Sequence, residues 1–277
     1  CAPDRTALDL ADLEALRNYL EQTRPAHIVH LAAETNVDLC EVKPEHATAV
    51  NLAPTRELAD YCAKTGARML YVSSSSVFAG NSKHQHSETD APCPTNFYAM
   101  TKWRSEEWIA EHCPDYLIIR ASWMVGTTSG PNKKFAEKMS GSIFNNVKEV
   151  KAVDDLFGSL TSGDRLADLI IHNLNKTSQA IIHCASKTIC SRYEIANYIK
   201  AYFNSATMIH PVGSAEFPLT AARGLSEGLD SDLAQRDFGY QALSWEEELE
   251  HFLRIFKADN FRPMEKSPAN SRLLLEA

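Results

Sequence analysis

The sequence predicts an α/β fold built on a doubly wound parallel sheet. Short apolar runs alternate with longer segments in which apolar residues recur every three or four positions, the patterns of buried strands and amphipathic helices. Such alternation is typical of parallel strands joined by helices on both faces of the sheet. With 277 residues, 44% of them hydrophobic, the chain can bury a full core in one large domain, or in a large and a small one.

Strands and helices alternate along the first half of the chain. Helices are predicted at 12–22, 44–65 and 98–113, and strands at 27–32, 68–73 and 116–122. Leu13, Leu16 and Leu20 form one apolar stripe of the first helix. Pro54 predicts a break in the second helix, and Gly66 suits its C-terminal cap. The strand at 27–32 is predicted to be buried.

Shorter elements follow a loop that contains Gly126, Gly130 and Pro131. Helices are predicted at 135–143, 165–175, 191–203 and 245–256, and strands at 148–153 and 180–184. Ser191 is suited to cap the helix that it begins, because serine favours that position. Residues 257–277 lack periodicity and are predicted to form a tail.

Composition excludes several classes of function. The net charge of −8 argues against a nucleic-acid surface. No apolar run approaches the roughly 18 residues that span a membrane, and no signal-peptide pattern opens the chain. The seven cysteines are odd in number and lack CxxC spacing, which indicates reduced thiols in a cytoplasmic protein. His84 and His86 are assigned to a polar surface loop and no metal is predicted, since no third ligand lies at a recognisable spacing.

Three residues form a candidate catalytic group: Ser74, Tyr98 and Lys102. Tyr98 and Lys102 stand four positions apart in a helical pattern, so both side chains point to one face. Ser74 follows an apolar strand. A tyrosine hydroxyl can donate a proton to a carbonyl oxygen while hydride arrives at the carbon. A lysine ammonium nearby lowers the pKa of such a phenol, and a serine hydroxyl can orient the carbonyl.

These residues, with several flanking motifs, resemble the extended short-chain dehydrogenase/reductases. The similarity is closest to the dTDP-4-dehydrorhamnose reductase branch and covers nearly the whole chain. Besides the serine, tyrosine and lysine, it rests on TALDLADLEAL, HIVHLAAETNVDLCE, AVN at 49–51, LIIRASWMVG at 117–126 and VDDLFGSLTSGDRLAD at 153–168. The resemblance implies a Rossmann-like NAD(P)-binding domain over 1–150. It also implies a mixed region over 151–256 that contributes a small C-terminal substrate lobe and parts of the sheet, followed by a tail over 257–277.

One feature of the family is missing from the sequence. The family begins with a strand, a glycine-rich turn that holds the cofactor pyrophosphate, and a helix. Here the first glycine is Gly66, so about one βαβ unit is absent. Either the sequence is a fragment, which we favour, or the protein is a degenerate relative. The strand at 27–32 would then lack a neighbour and expose an apolar edge.

Cofactor-binding residues are assigned by resemblance. They are Asp9 and Leu10 at the adenine end, Ala32 and Ala33 at the end of a strand where bulk would block the cofactor, and Tyr98 with Lys102, the lysine also binding the nicotinamide ribose. Asp9 could equally cap a helix, and the alanines could serve close packing. Asn51 matches an asparagine that supports that strand. The cofactor is NADP or NAD, because the segment that sets the preference is not in the chain.

Substrate-binding residues are Ser75, Trp123 and Arg223, again by resemblance. An aromatic ring at Trp123 could stack on a sugar or serve the core, and Arg223 could bind substrate phosphates or lie on the surface. The family usually carries Thr-Asp-Tyr where this chain has Ser74–Ser76, which puts the usual sugar contacts in question. The Asp-Glu pair that sugar dehydratases need is absent.

The expected function is NAD(P)H-dependent reduction of a keto group on a nucleotide-activated deoxysugar. A triple serine also resembles the nucleotide-sugar 4-epimerases. A non-catalytic regulatory subunit is a further alternative, because the regulatory subunit of methionine adenosyltransferase resembles this branch. The expected partner is a nucleotide-sugar substrate, with neither nucleic acid nor membrane. A homodimer is compatible with the resemblance, but the sequence specifies neither the oligomeric state nor the sugar.

Overall fold

The computed structural model describes residues 2–80, 83–126, 134–217 and 219–260. Gly130 and Pro131 of the predicted loop, and the part of the predicted tail beyond 260, lie outside the described residues. Among the described helices, none combines the length and the apolar character needed to cross a bilayer.

Every predicted helix is present among the described residues, and two short helices, at 37–42 and 232–237, were not predicted. The described helices are α1 (Leu13–Thr23), α2 (Val37–Val42), α3 (Pro44–Ala47), α4 (Ala53–Thr65), α5 (Phe97–His112), α6 (Phe135–Phe144), α7 (Gly163–Asn173), α8 (Arg192–Phe203), α9 (Asp232–Asp237) and α10 (Trp245–Asn260). A π-helical segment, Thr48–Leu52, joins α3 to α4, so the predicted break falls just before Pro54. Gly66 ends α4 with a φ of 73°, and Ser191 caps α8. Residues 257–260, which were predicted to belong to the tail, continue α10.

The strands are more numerous than the sequence indicates. Those described are β1 (His27–His30), β2 (Arg68–Ser74), β3 (Gln85–His86), β4 (Tyr116–Ala121), β5 (Trp123–Val125), β6 (Glu149–Val153), β7 (Phe157–Gly158), β8 (Leu160–Ser162), β9 (Gln179–Cys184), β10 (Cys190–Ser191), β11 (Met208–Val212) and β12 (Ser226–Leu229). The five predicted strands correspond to β1, β2, β4, β6 and β9. Most of the additional ones are only two to four residues long, and β11 contains Pro211, which argues against a strand in the sequence.

The main sheet is parallel and doubly wound, as predicted. Its order is β1-β2-β4-β9, and Ser74, Ala121 and Cys184 stand in register at the carboxyl ends of the last three strands. Helices α1, α4 and α5 pack on one face, and α7 and α9 pack on the other. Carboxyl ends of neighbouring parallel strands in such a sheet form the usual ligand crevice.

The strand β1 lies at the edge of this sheet, where it pairs with β2 among the described residues. Its side chains alternate between exposed and buried, so the prediction of a buried strand is wrong for half of its residues. Val29 is 39% exposed, and Leu31, just past the strand, is 57% exposed. The expected apolar edge is therefore present.

A second region of structure packs beyond β4 and β9. Helices α6, α8 and α10 enclose a separate core, with the parallel pair β6 and β11 beside it. A small sheet of order β10-β7-β12-β3 joins this region to the loop that follows β2. Strand β9, although late in the sequence, belongs to the main sheet. The C-terminal half of the chain is therefore interleaved with the first half.

A buried ion pair fixes α5 against the main sheet. Arg120 of β4 donates hydrogen bonds to both carboxylate oxygens of Glu106 of α5, at 2.7 to 3.2 Å. Each side chain is 3% exposed. The same guanidinium lies 3.4 Å from His183 of β9. One residue of α5 is thereby tied to two neighbouring strands.

Removal of one partner of this ion pair should destabilise the protein strongly. Glu106→Gln leaves the Arg120 charge buried without its carboxylate, which typically costs about 3–5 kcal/mol of unfolding free energy. Glu107→Gln removes the exposed partner of Arg104 one position along the same helix and should cost less than about 1 kcal/mol. Denaturant unfolding of the two variants measures the difference. Equal losses would show that the buried pair does not anchor α5.

Candidate active site

The site lies at the carboxyl end of β2. Ser74 is the last residue of that strand, and a 3-10 turn, Ser75–Val77, follows at once. The Ser74 Oγ accepts hydrogen bonds from the Ser76 backbone N–H at 3.2 Å and from the Ser76 hydroxyl at 2.9 Å. These bonds hold the Ser74 hydroxyl oxygen in one place and leave its proton available to a further acceptor.

Tyr98 is placed by the first turn of α5. Asn96 caps the helix by accepting a hydrogen bond from the Ala99 N–H at 2.8 Å, and its amide donates to the Ala222 carbonyl at 2.9 Å. Glu41 accepts a hydrogen bond from the Phe97 N–H at 2.8 Å. Three separate chain segments therefore converge on the turn that carries the tyrosine.

Tyr98 is 8% exposed, and its phenol lies beside Ser74. Burial raises the pKa of Tyr98 to about 12, and a hydrogen bond from the Ser74 side chain works against that rise. The hydroxyl groups of Ser74 and Tyr98 are therefore hydrogen-bond partners. The negative charge of Glu227 raises the pKa further. Tyr98 is therefore fully protonated at neutral pH.

Lys102 lies one helical turn further along α5 and is 3% exposed. Its Nζ donates to the Val72 carbonyl at 2.9 Å and lies 4.6 Å from the centre of the Tyr71 ring. Burial lowers the pKa of Lys102 to about 8, and Glu106 opposes that shift. The sequence expectation that the lysine lowers the pKa of Tyr98 differs from the structure, where burial dominates and the opposing contact comes from Ser74.

Glu227 is a site residue that the sequence analysis missed. It lies on β12, and its Oε2 accepts hydrogen bonds from the Ser75 hydroxyl at 3.3 Å and from the Trp123 indole N–H at 2.9 Å. The Ser122 hydroxyl binds its backbone carbonyl at 2.8 Å. No local pattern indicates this role, because β12 reaches the site through a pairing with β3 across more than 140 residues of sequence.

Trp123 and Arg192 form one wall next to Glu227. The Arg192 guanidinium stacks 4.7 Å from the centre of the Trp123 ring. The indole faces Gly158, where a Cβ atom would lie 2.6 Å from the ring, so glycine is required for this approach. Burial lowers the pKa of Arg192, Glu227 raises it, and the charge of Arg223 lowers it again. Arg192 was not identified from the sequence.

Arg223 lies at the edge of this group of charges. Its guanidinium is 3.2 Å from the Asp38 carboxylate and donates to the Ala221 carbonyl at 2.7 Å. Asp38 also accepts a hydrogen bond from the Ala221 N–H at 2.9 Å. The segment around Arg223 is thus fastened to α2 and, through Ala222, to the cap of α5.

Of the residues predicted to bind the cofactor, some lie just after β1 and others just before α1. Ala32 and Ala33 follow β1, and Ala32 is exposed, so open surface lies at this strand end. Asn51 supports it, because its side chain bonds both the Glu34 N–H, at 2.7 Å, and the Glu34 carbonyl, at 3.2 Å. Asp9 lies before α1, where it accepts a hydrogen bond from the Ala11 N–H.

Leu10 and the end of β1 lie at different parts of the predicted cofactor surface and have different surroundings. Leu10 packs against the core under α1, so its side chain serves packing at least in part. His30 lies two residues before Ala32, and burial and then the charge of Lys102 lower the pKa of His30 to about 3. The end of β1 therefore adjoins Lys102. The residues present fit the nicotinamide end of a dinucleotide.

Comparison with known proteins identifies similar chains over nearly the whole length. The family described as RmlD substrate binding domain matches residues 1–258. The dTDP-4-dehydrorhamnose reductase of Escherichia coli K12 is 28% identical over 249 residues, covering 86% of this chain and 82% of that protein.

Solved structures give the same result. The dTDP-4-dehydrorhamnose reductase of Yersinia enterocolitica superposes with a TM-score of 0.86 at 37% identity, covering 92% of this chain and 89% of that one. The Bacillus anthracis reductase, solved in complex with NADP, superposes with a TM-score of 0.84 at 28% identity, covering 91% and 89%.

Proposed function

The chain belongs to the RmlD substrate binding domain family, and from this premise we propose that it is an NADPH-dependent reductase of a keto group on a nucleotide-activated deoxysugar. Relatives and solved structures named dTDP-4-dehydrorhamnose reductase support this proposal. The single observation in the chain that carries it is the convergence of Tyr98, Lys102 and Ser74. These three side chains meet at the carboxyl end of β2, where open α/β sheets bind ligands.

Each of the three residues has a separate chemical role. Tyr98 keeps its proton at neutral pH, because its pKa is about 12, and donates it to the substrate carbonyl oxygen. Ser74 donates its one hydroxyl proton to that oxygen and so orients the substrate carbonyl. Lys102 supplies a positive charge close to the reaction. An ammonium has three donors; one is directed to the Val72 carbonyl, and we assign the others to the ribose of the cofactor.

Bound NADPH would supply the hydride for this reaction. The residues that would hold its nicotinamide end are Tyr98, Lys102, Ala32 and Ala33, with Asp9 and Leu10 toward the adenine. The contribution of the alanines is to leave space at the end of β1, where the exposed position of Ala32 admits a flat ring system.

Substrate recognition is assigned to the wall around Glu227. The family usually has an acidic residue at the position of Ser75, and here the Glu227 carboxylate binds the Ser75 hydroxyl. Glu227 on β12 therefore places a carboxylate next to Ser75, where it can accept hydrogen bonds from sugar hydroxyls. Trp123 offers an indole edge to the sugar, and Arg192 with Arg223 offers positive charge to the diphosphate.

Removal of the Tyr98 hydroxyl should abolish most of the activity. In Tyr98→Phe we expect kcat/KM for dTDP-4-dehydrorhamnose to fall by about 10²–10⁴, the usual contribution of a positioned proton donor. The assay follows NADPH consumption. Tyr116→Phe is the matched control, because Tyr116 is a buried tyrosine at the amino end of β4, away from the proposed site. This variant should keep the rate of the parent protein.

The two alternative functions predict other results in the same assay. An epimerase would convert the sugar without net consumption of NADPH, and a regulatory subunit would bind ligands without turnover. Either outcome in the unmodified protein would contradict the proposed reductase. Equal rates in Tyr98→Phe and Tyr116→Phe would contradict the assigned proton donor.

The pH profile should depend on Lys102. Its pKa is lowered to about 8, so the ammonium loses its proton as the pH rises through that value, and kcat/KM should fall on the alkaline side. In Lys102→Arg the guanidinium stays charged, since its pKa exceeds about 12. That variant should be slower but should lack the alkaline decline below about pH 10. An identical alkaline limb in both proteins would exclude Lys102 as its source.

A further inference from the structure

Three side chains with metal-binding atoms meet in the segment that precedes α5. The ligand atoms of His84, His86 and Asp90 all lie within 4.8 Å of one another. The Asp90 Oδ2 is 3.7 Å from the His84 Nε2 and 3.5 Å from the His86 Nδ1. The sequence shows the two histidines, but the carboxylate four residues further on is brought to them only by the turn between.

The distances agree with a shared ion. Zinc binds imidazole nitrogen and carboxylate oxygen at about 2.0–2.2 Å, so two atoms on one tetrahedral ion stand roughly 3.4 Å apart. The Nε2 of His86 is buried, which leaves Nδ1 as the ring nitrogen turned toward Asp90. The side chain of His84 is 58% exposed and that of Asp90 is 39% exposed. An ion could therefore enter from solvent and keep a water molecule as its fourth ligand.

The three residues are held in place by the surrounding fold. His86 lies on β3, in register with Leu229 of β12, and its ring stacks on Phe78 with centroids 4.4 Å apart. The His84 carbonyl accepts a hydrogen bond from the Ser226 hydroxyl. Gly228 permits this approach, because a Cβ there would lie 2.8 Å from the same carbonyl oxygen.

The third ligand is oriented independently. The Ser87 hydroxyl donates to the Asp90 Oδ1 at 3.0 Å, and the Ser87 N–H donates to Oδ2 at 3.1 Å. Ligating carboxylates in metal sites are commonly held by such hydrogen bonds. The site is thus supported on both sides, by β12 and by the turn.

We propose that His84, His86 and Asp90 form a binding site for a divalent transition-metal ion of the zinc class. Two neutral imidazoles and one carboxylate form a set that zinc favours, whereas magnesium and calcium prefer oxygen ligands alone. The ion links β3 to the turn that contains Asp90, and β3 pairs with β12, the strand that carries Glu227. Its role is to hold β3 and this turn together, and it takes no part in hydride transfer.

Equilibrium dialysis against buffered zinc, with metal analysis, tests the proposal. The protein must carry no polyhistidine tag, and a Cys93→Ser background removes the cysteine exposed among the described residues. One zinc ion per chain is expected. His84→Ala and Asp90→Ala each remove a ligand and should weaken binding at least about tenfold, since loss of even an outer-shell partner typically costs that much. Zinc should raise the Tm of the parent protein and leave that of Asp90→Ala unchanged.

Two further variants separate ligation from folding. His86→Phe keeps an aromatic ring against Phe78 while it removes the ligand, and it should lose zinc binding with its unfolding transition intact. His210→Ala removes an exposed histidine that lies beside Glu149 and should bind zinc as the parent does. Absence of bound zinc in the parent, or equal affinity in the parent, His84→Ala and Asp90→Ala, would overturn the proposal.

Discussion

The burial of a charged lysine is the constraint on which the site depends. Lys102 is 3% exposed, and a buried ammonium is costly unless its donors and its charge are matched. The Val72 carbonyl, the Tyr71 ring and, one helical turn away, Glu106 provide that match. Since Tyr98, Lys102 and Glu106 recur every four residues along α5, one orientation of the helix presents all three to the sheet.

The buried ion pair between Glu106 and Arg120 stabilises this orientation of α5. Arg120 lies in the middle layer of the fold, where β4 is buried along its whole length, and it holds Glu106 from below. Rotation of α5 would therefore break this ion pair and leave the Arg120 charge without its partner. The parallel pairing of β2 with β4 fixes the position of Ser74 at the end of its strand, next to the phenol of Tyr98. The geometry of the proposed site and the stability of the fold depend on the same contacts.

The sequence predicts what is local and periodic. Tyr98 and Lys102 stand one helical turn apart, Gly66 takes the left-handed conformation that ends α4, and Ser191 completes a capping box; each depends on neighbours within a few positions. Glu227 could not be predicted, because β12 joins the site by pairing with a strand far away in the chain. The pKa of Tyr98 could not be predicted either, since it follows from burial that only the packed fold creates. The cluster of His84, His86 and Asp90 was not predicted, because its spacing matches no familiar ligand pattern.

The most direct test of the account follows the hydride itself. The full-length protein is given dTDP-4-dehydrorhamnose and NADPH that carries deuterium at C4 of the nicotinamide, with each of the two stereoisomers in turn. The account predicts that one stereoisomer yields a deuterated sugar, seen by mass spectrometry, with the label at the carbon that bore the keto group. A reaction that leaves no deuterium in the sugar with either stereoisomer, or no reaction at all, would contradict the assignment of Ser74, Tyr98 and Lys102 as a ketoreductase site.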